Sequence, residues 1–297
     1  MPSVKDLHRR IRSVQNTGKV TNAMSLIAAS KMRRAQTAVT QGRPFAEKIQ
    51  GVIANLAAQP ADDDAGINPL LRVKPLQRVG ILVISPDRGL CGGMHSNLNR
   101  TVARFVLDQP VPSRMIVVGR KGRDFMTRSG QDVTAVFTDM GEQPVLADTT
   151  AISRLVMDAY IDGDIDEVHL AYTRFVSTLS QQPAIERLLP VTPATLASTE
   201  RVGYIYEPDS LAVLESLLPR FVEMEVYHAL LESVASEQSA RMVAMRNATE
   251  NANELVDDLT HLITPLPGHV FQRRTAAGGI DRHSTQKILQ HLGTVGI

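Results

Sequence analysis

Apolar positions recur at alternating steps of three and four residues through the first part of the chain. Leu7, Ile11 and Val14 open the stripe, and Gly18, Thr21, Ser25, Ala28, Met32, Ala35 and Val39 continue it. This spacing puts one helix face against a neighbour, and the small residues of its second half let that neighbour come close. Val20, Met24 and Ile27 form an apolar ridge beside the stripe. Segment 3–57 therefore predicts a helix, with Ser3 as N-cap and Asp6 at the capping-box position. No breaker precedes Gly42 and Pro44, so about 38 residues, about 57 Å at the helical rise, run on uninterrupted.

A second long pattern begins at Asp209. Its apolar positions are Leu211, Leu214, Leu218, Phe221, Met224, Leu231, Val234, Met242, Met245, Ala252, Leu255 and Leu259. Pro219 is expected to begin or kink this helix. The two stripes predict that the helices pack on each other. An antiparallel register with Val4 level with Leu259 brings Pro44 level with Pro219, so that both breakers fall where the pair joins the rest of the molecule. The stretch 237–259 is polar and small on every face. Such a helix suits either a polar socket that touches several surfaces or an exposed coiled-coil strand.

The middle of the chain changes period. Residues 60–77 carry Pro60, three consecutive Asp, Gly66, Pro69 and Pro75, and predict a linker. Strand-like runs follow at Arg78–Ser85, Arg114–Gly119, Val133–Phe137 and Glu167–Val176, with helical patterns near 96–108, 121–129 and 149–161 between them. This alternation implies βαβ units and a mainly parallel sheet. The first two runs are almost wholly apolar, as strands covered on both faces are. Residues 180–208, with Pro183, Pro190, Pro193 and Pro208, are expected to return the chain to the second long helix. The domain is thus inserted between the halves of a helical hairpin. The boundaries fall at 1–59 for the first helix, 60–208 for the α/β domain with its linkers, 209–260 for the second helix and 261–297 for a tail.

Charge sharpens this division. The 297 residues hold 32 Lys and Arg against 31 Asp and Glu, a net charge of +1. The first fifty positions alone hold ten basic and two acidic residues, so they carry +8 and the remainder −7. The basic helix can bind phosphates, present a solvated face or complement an acidic protein, and its continuous apolar stripe favours a protein neighbour. Read alone, it also passes for an Arg-rich targeting peptide, but its length argues against cleavage. Aromatic content of 4% without Trp is thin for a surface that stacks nucleic-acid bases. A single cysteine, Cys91, excludes a disulfide framework and a multi-cysteine zinc site. The apolar runs are too short to span a bilayer, and no secretory signal opens the chain.

Candidate chemistry centres on the turn Asp87-Arg-Gly-Leu-Cys-Gly-Gly-Met94 between a strand and a helix. A glycine-rich turn there can cradle a phosphate. The spacing Gly89, Gly92, Gly93 is not that of a dinucleotide fingerprint, however, and no P-loop Lys-Ser/Thr follows. The alternative is a tight turn where close packing excludes side chains. Cys91 lies near a helix N-terminus that would lower its pKa, with His95 as the nearest base; small filler is the competing reading. The eight histidines are scattered. Metal binding is not expected, and His169 is expected to be a structural or edge residue.

Three motifs together carry a resemblance. The first is Lys5-Asp-Leu-x-x-Arg-Ile-x-Ser-Val-x-x-Thr-x-Lys19-Val-Thr-x-Ala-Met24 with Ala28-Ala-Ser-Lys-Met-Arg-Arg-Ala35. The second is Asp87-Arg-Gly-Leu-Cys-Gly-Gly93 with Asn97, and the third is Ser236-Glu-Gln-x-Ala-Arg-Met242-x-Ala-Met245 with Ala248-Thr-x-Asn251-Ala. Tyr204-Ile-Tyr-Glu-Pro208 and Leu217-Leu-Pro-Arg220 add to them. The sequence resembles the γ subunit of F-type ATP synthases over about residues 3–260. The resemblance implies an α/β fold: a long antiparallel coiled coil of N- and C-terminal helices with an inserted Rossmann-like, mainly parallel domain. It implies a central rotor shaft with no bond chemistry and no cofactor. Rotation would couple ion flow through the membrane c-ring to ATP synthesis or hydrolysis at the β-subunit sites. The implied partners are the α and β subunits of the catalytic ring, the ε subunit and the c-ring, with a single copy of this chain per complex and no nucleic acid. The family's rotor–β contact maps onto Met24, Glu237 and Arg241.

The tail departs from the family. Residues 261–281, with Pro265, Pro267, Gly268, Gly278 and Gly279, cannot form one straight helix. Either an insertion or a diverged reading frame accounts for them. The lone cysteine argues against the dithiol insert of chloroplast members, and a first motif starting at residue 3 leaves no room for a transit peptide. A bacterial chain, peripheral on the cytoplasmic side of the inner membrane, is expected. Two other classes compete: an NAD-type enzyme built on 78–176, and a coiled-coil nucleic-acid binder using the basic helix.

Overall fold

The computed structural model describes residues 4–57, 68–192 and 209–263. Ser3, the linker up to residue 67, Pro193, the 204–208 motif and nearly all of the tail lie outside the described residues. The described residues divide into two compact units, one from within 1–19 and 250–297 and the other from within 20–249.

Helix α1 spans Val4–Ala57 and α5 spans Ser210–Ile263. Gly42 and Pro44 do not end α1, and Pro219 lies inside α5 rather than at its start. The 4/3 stripe explains why α1 continues: beyond Pro44, Ile49, Ile53 and Leu56 are all buried. Each buried Ile or Leu contributes about 1.5–3 kcal/mol. Together these offset roughly 1 kcal/mol for a helical glycine and about 3 kcal/mol for a helical proline.

In the larger unit the α1 stripe is the buried face. Ser25, Ala28, Met32, Ala35 and Val39 are buried, whereas Val20 and Ile27 are 58% and 53% exposed. Ala28 and Met32 cluster with Met242 of α5, and Ala35 clusters with Val234 and Ala235. The Thr21 and Thr249 hydroxyls are 2.7 Å apart. The helices are therefore antiparallel, but one heptad away from the register that levels the two prolines, which would set Val14 opposite Thr249. A stripe of constant period pairs equally well after a shift of seven residues, so spacing alone does not choose between the two. In the smaller unit a Cβ on Gly18 would lie 3.4 Å from that of Ala252. Glycine there lets the two helices come close.

The sheet has the order β3-β2-β1-β4-β5. Strands β1 (Val79–Ile84), β2 (Ser113–Val118), β3 (Asp132–Phe137) and β4 (Glu167–Ser177) are parallel. Strand β5 (Ser180–Leu189) pairs antiparallel with β4 at the edge. It corrects the expectation that 180–208 merely returns the chain. Pro183 and the polar Gln181 and Gln182 mask the strand pattern, and an edge strand tolerates them. His169 is consequently interior to the sheet, paired with Ile81 on one side and Arg187 on the other.

Helices α2 (Met94–Leu107), α3 (Arg120–Arg128) and α4 (Leu146–Ile161) complete the domain. One sheet face carries Ile81, Val83, Met115 and Val117 against Leu98, Val102 and Met126 of α2 and α3. The other carries Leu82, Ile84, Ile116 and Leu170 against Ile152 and Val156 of α4. That second core also takes in Ile49, Ile53 and Leu56 of α1 and Leu214, Leu218, Val222 and Val226 of α5. The long helices thus end as part of the domain's own core layer.

Candidate functional site

The carboxyl ends of parallel strands are where a fold of this class binds ligands. Here the ends of β1, β2 and β3 are tied to one another by their own side chains. Ser85, just after β1, donates from its hydroxyl to the Val118 carbonyl at 2.9 Å and accepts from the Gly122 amide at 2.8 Å. A Cβ on Gly119, whose φ is +92°, would sit 1.9 Å from the Ser85 carbonyl oxygen. Asp87 then joins the ends of three strands: its carboxylate accepts from the Arg120 amide after β2 and the Asp139 amide after β3, each at 3.0 Å. Arg120 also pairs with Asp139 at 2.5 Å. The amide that opens α3 is thereby committed to Asp87.

Close packing does not explain the glycines of the 87–94 turn. Gly92 needs its φ of +58°, but a Cβ there or on Gly89 or Gly93 meets no atom nearer than 3.8 Å. The glycines that permit close approach are Gly119 and Gly122, one turn further along the sheet. The signal of Gly119 in the sequence is only a glycine directly after a strand, and Gly122 lies in the first turn of α3.

The turn packs on α5. Cys91 and Met94 cluster with Ala240, and Arg241 donates to the Gly89 carbonyl at 3.1 Å. Cys91 is buried, 3.7 Å from His95 Nδ1. Burial, followed by the Glu237 carboxylate, pushes its thiol up rather than down. His95 is pushed down, first by burial and then by Lys121. A protonated thiol beside a neutral imidazole is filler, and the nucleophile reading is set aside. His169 stacks edge-on to Phe105 at 4.7 Å and meets Glu167 at 3.0 Å, a structural role.

The structure brings Met24, Glu237 and Arg241 together. All three line a cavity of about 400 Å³ bounded by α1, α5 and the 87–90 turn. Arg241 donates to Glu237 at 2.6 Å, and the two side chains are only 12% and 16% exposed. Burial raises the Glu237 pKa, with Arg241 opposing it. Lys31, on the same rim, meets Glu142 at 2.5 Å and holds that carboxyl below its ordinary value. Spacing alone does not reveal this ion pair between α1 and the loop after β3. Among the described residues no group of three His, Cys, Asp or Glu could hold a metal.

A family model described as ATP synthase matches residues 3–264. The ATP synthase gamma chain of Dehalococcoides mccartyi strain CBDB1 is 54% identical over 260 residues, covering 88% of this chain and 91% of the relative. The chain belongs to the ATP synthase gamma chain family. The gamma chain of Roseiflexus sp. strain RS-1 is 46% identical over 264 residues, with 88% and 90% of the two chains covered. A chain of the Tetrahymena thermophila mitochondrial ATP synthase central stalk and c-ring structure superposes with a TM-score of 0.59 at 25% identity, over 77% of this chain and 99% of that one. A chain of the Euglena gracilis mitochondrial ATP synthase rotor shares the fold, with a TM-score of 0.57 at 19% identity over 86% and 94% of the two chains.

Proposed function

We propose that this chain turns as the central shaft within a ring of alternating α and β subunits, coupling ion flow through a membrane c-ring to ATP synthesis or hydrolysis at the β sites. It is a non-catalytic rotor subunit of an F-type ATP synthase, a peripheral part of a membrane complex. No described helix is long and apolar enough to cross a membrane. The observation that carries the mechanical reading is that α1 and α5, paired on small residues, end inside the core of the α/β domain. Two helices rooted in a shared core cannot twist without moving the domain.

In this reading the chain divides by role at 1–59, 60–208, 209–260 and 261–297. Met24 faces the β subunit directly from the cavity rim, while Glu237 and Arg241 complete that contact from α5. The ε subunit and the c-ring engage the α/β domain, on the cytoplasmic side of a bacterial inner membrane. Affinity capture of the tagged chain from its source cell, followed by native mass measurement, tests the assignment. One copy with α and β subunits is expected. Recovery as a free chain or homo-oligomer, or strong thermal stabilisation of the chain by a dinucleotide, would contradict it.

A further inference from the structure

The segment Ser236–Arg241 of α5 is buried on nearly every side although it is polar. Its partners are backbone carbonyls of the α/β domain. Ser236 donates to the Thr173 carbonyl at 3.0 Å, and Ser239 donates to the Thr178 carbonyl at 2.8 Å. Both serines are fully buried. Gln181 donates back to the Ser239 hydroxyl at 3.3 Å. Thr173 lies in β4 and Thr178 in the turn that joins β4 to β5 in a hairpin. From the same hairpin, Phe175 packs against Ala28, Met32 and Met242 and also against Ala35, Val234 and Ala235. The hairpin therefore grips both helices of the pair, by hydrogen bonds on α5 and by one aromatic ring against both.

We propose that the β4–β5 hairpin is a second grip, beyond the shared core, through which the α/β domain holds the helix pair against slip under torque, with Ser236, Ser239 and Phe175 as its positioning residues. The inference rests on the rotor reading. Its physical basis is the penalty for slip. Sliding the hairpin along α5 by the length of a hydrogen bond pulls two fully buried hydroxyls away from the carbonyls they bind. Phe175 adds resistance to rotation, because a ring packed against both helices cannot follow one and leave the other. Ser236 and Ser239 are three residues apart, on one face of α5, so both bonds oppose the same displacement. Large side chains at these positions would hold the helix away from the hairpin, so the small residues of the third motif have a mechanical use.

The test uses the assembled synthase carrying Ser236→Ala/Ser239→Ala in membrane vesicles, with ATP hydrolysis, ATP-driven ion pumping and amide exchange of 173–182 all measured. The expected result is that hydrolysis persists while the ratio of pumping to hydrolysis falls. Hairpin amides should exchange about tenfold faster, as loss of two buried hydrogen bonds implies. Phe175→Leu keeps the apolar bulk and should uncouple in the same direction; it carries the test if the double variant does not assemble. Faster exchange with an unchanged ratio of pumping to hydrolysis would overturn the proposal, as would unchanged exchange. If the unaltered chain itself restores no pumping, the rotor reading falls, and the second grip with it.

Discussion

Gly119 and Glu225 illustrate how single residues carry weight that neither composition nor motif announces. A Cβ on Gly119 would press into the Ser85 carbonyl at 1.9 Å, in a backbone conformation with φ +92° that other residues adopt only under strain. Gly119→Ala is expected to destabilise the chain by more than about 3 kcal/mol in urea unfolding, well beyond an ordinary surface change. Glu225 lies near Glu186 and Glu232, and burial followed by these two carboxylates pushes its pKa above the ordinary value of 4.5. A group that binds its proton more tightly when folded stabilises the fold at low pH. That contribution is lost as pH rises from the ordinary value through the raised one. Glu225→Gln should therefore be more stable than the unaltered chain above this window, with a flatter dependence on pH, as read by thermal melting at several pH values. No gain at neutral pH would contradict the burial argument. Met24, on the cavity rim, is expected to behave differently. A positive charge there can hold a persistent ionic contact to a ring subunit, so Met24→Lys should lower ATP synthesis more than hydrolysis. Equal loss of both would count against a partner-facing Met24.

At the scale of elements, periodicity located both long helices and the four parallel strands because each buries a continuous face. The same reasoning stopped short wherever packing outweighs local preference. Gly42, Pro44 and Pro219 look like boundaries in sequence, yet apolar residues continuing beyond them draw the helices on into the domain core. Strand β5 was hidden by Pro183 and its polar neighbours, since an edge strand need not alternate cleanly. The helix register was ambiguous by one heptad because the stripe repeats. It is decided by polar contacts, Thr21 to Thr249 above all. A Thr21→Cys/Thr249→Cys pair should form a disulfide on mild oxidation, seen as a mass loss of about two hydrogens, because the hydroxyls it replaces are within bonding reach. A pair at Val14 and Thr249, which the shifted register would bring together, should stay reduced. The candidate site divides in the same way. The motifs brought Met24, Glu237 and Arg241 to notice, but the carbonyls that Arg241 and the serines bind leave no trace in side-chain identity.

At the scale of the whole molecule, the net charge of +1 conceals a first helix region at +8 and a remainder at −7. Near-neutrality therefore says little about the surface that any one partner meets. The scarcity of aromatic residues also has a mechanical sense, since helices paired on glycine, alanine and serine pack closely without large anchors. The central claim is that this chain is the part that turns. The most direct measurement immobilises the catalytic ring of the assembled complex, attaches a probe to this chain in its α/β domain and supplies ATP under a microscope. The account predicts sustained rotation of the probe in one direction while ATP is hydrolysed. A chain that stays fixed to the ring while hydrolysis proceeds would contradict it.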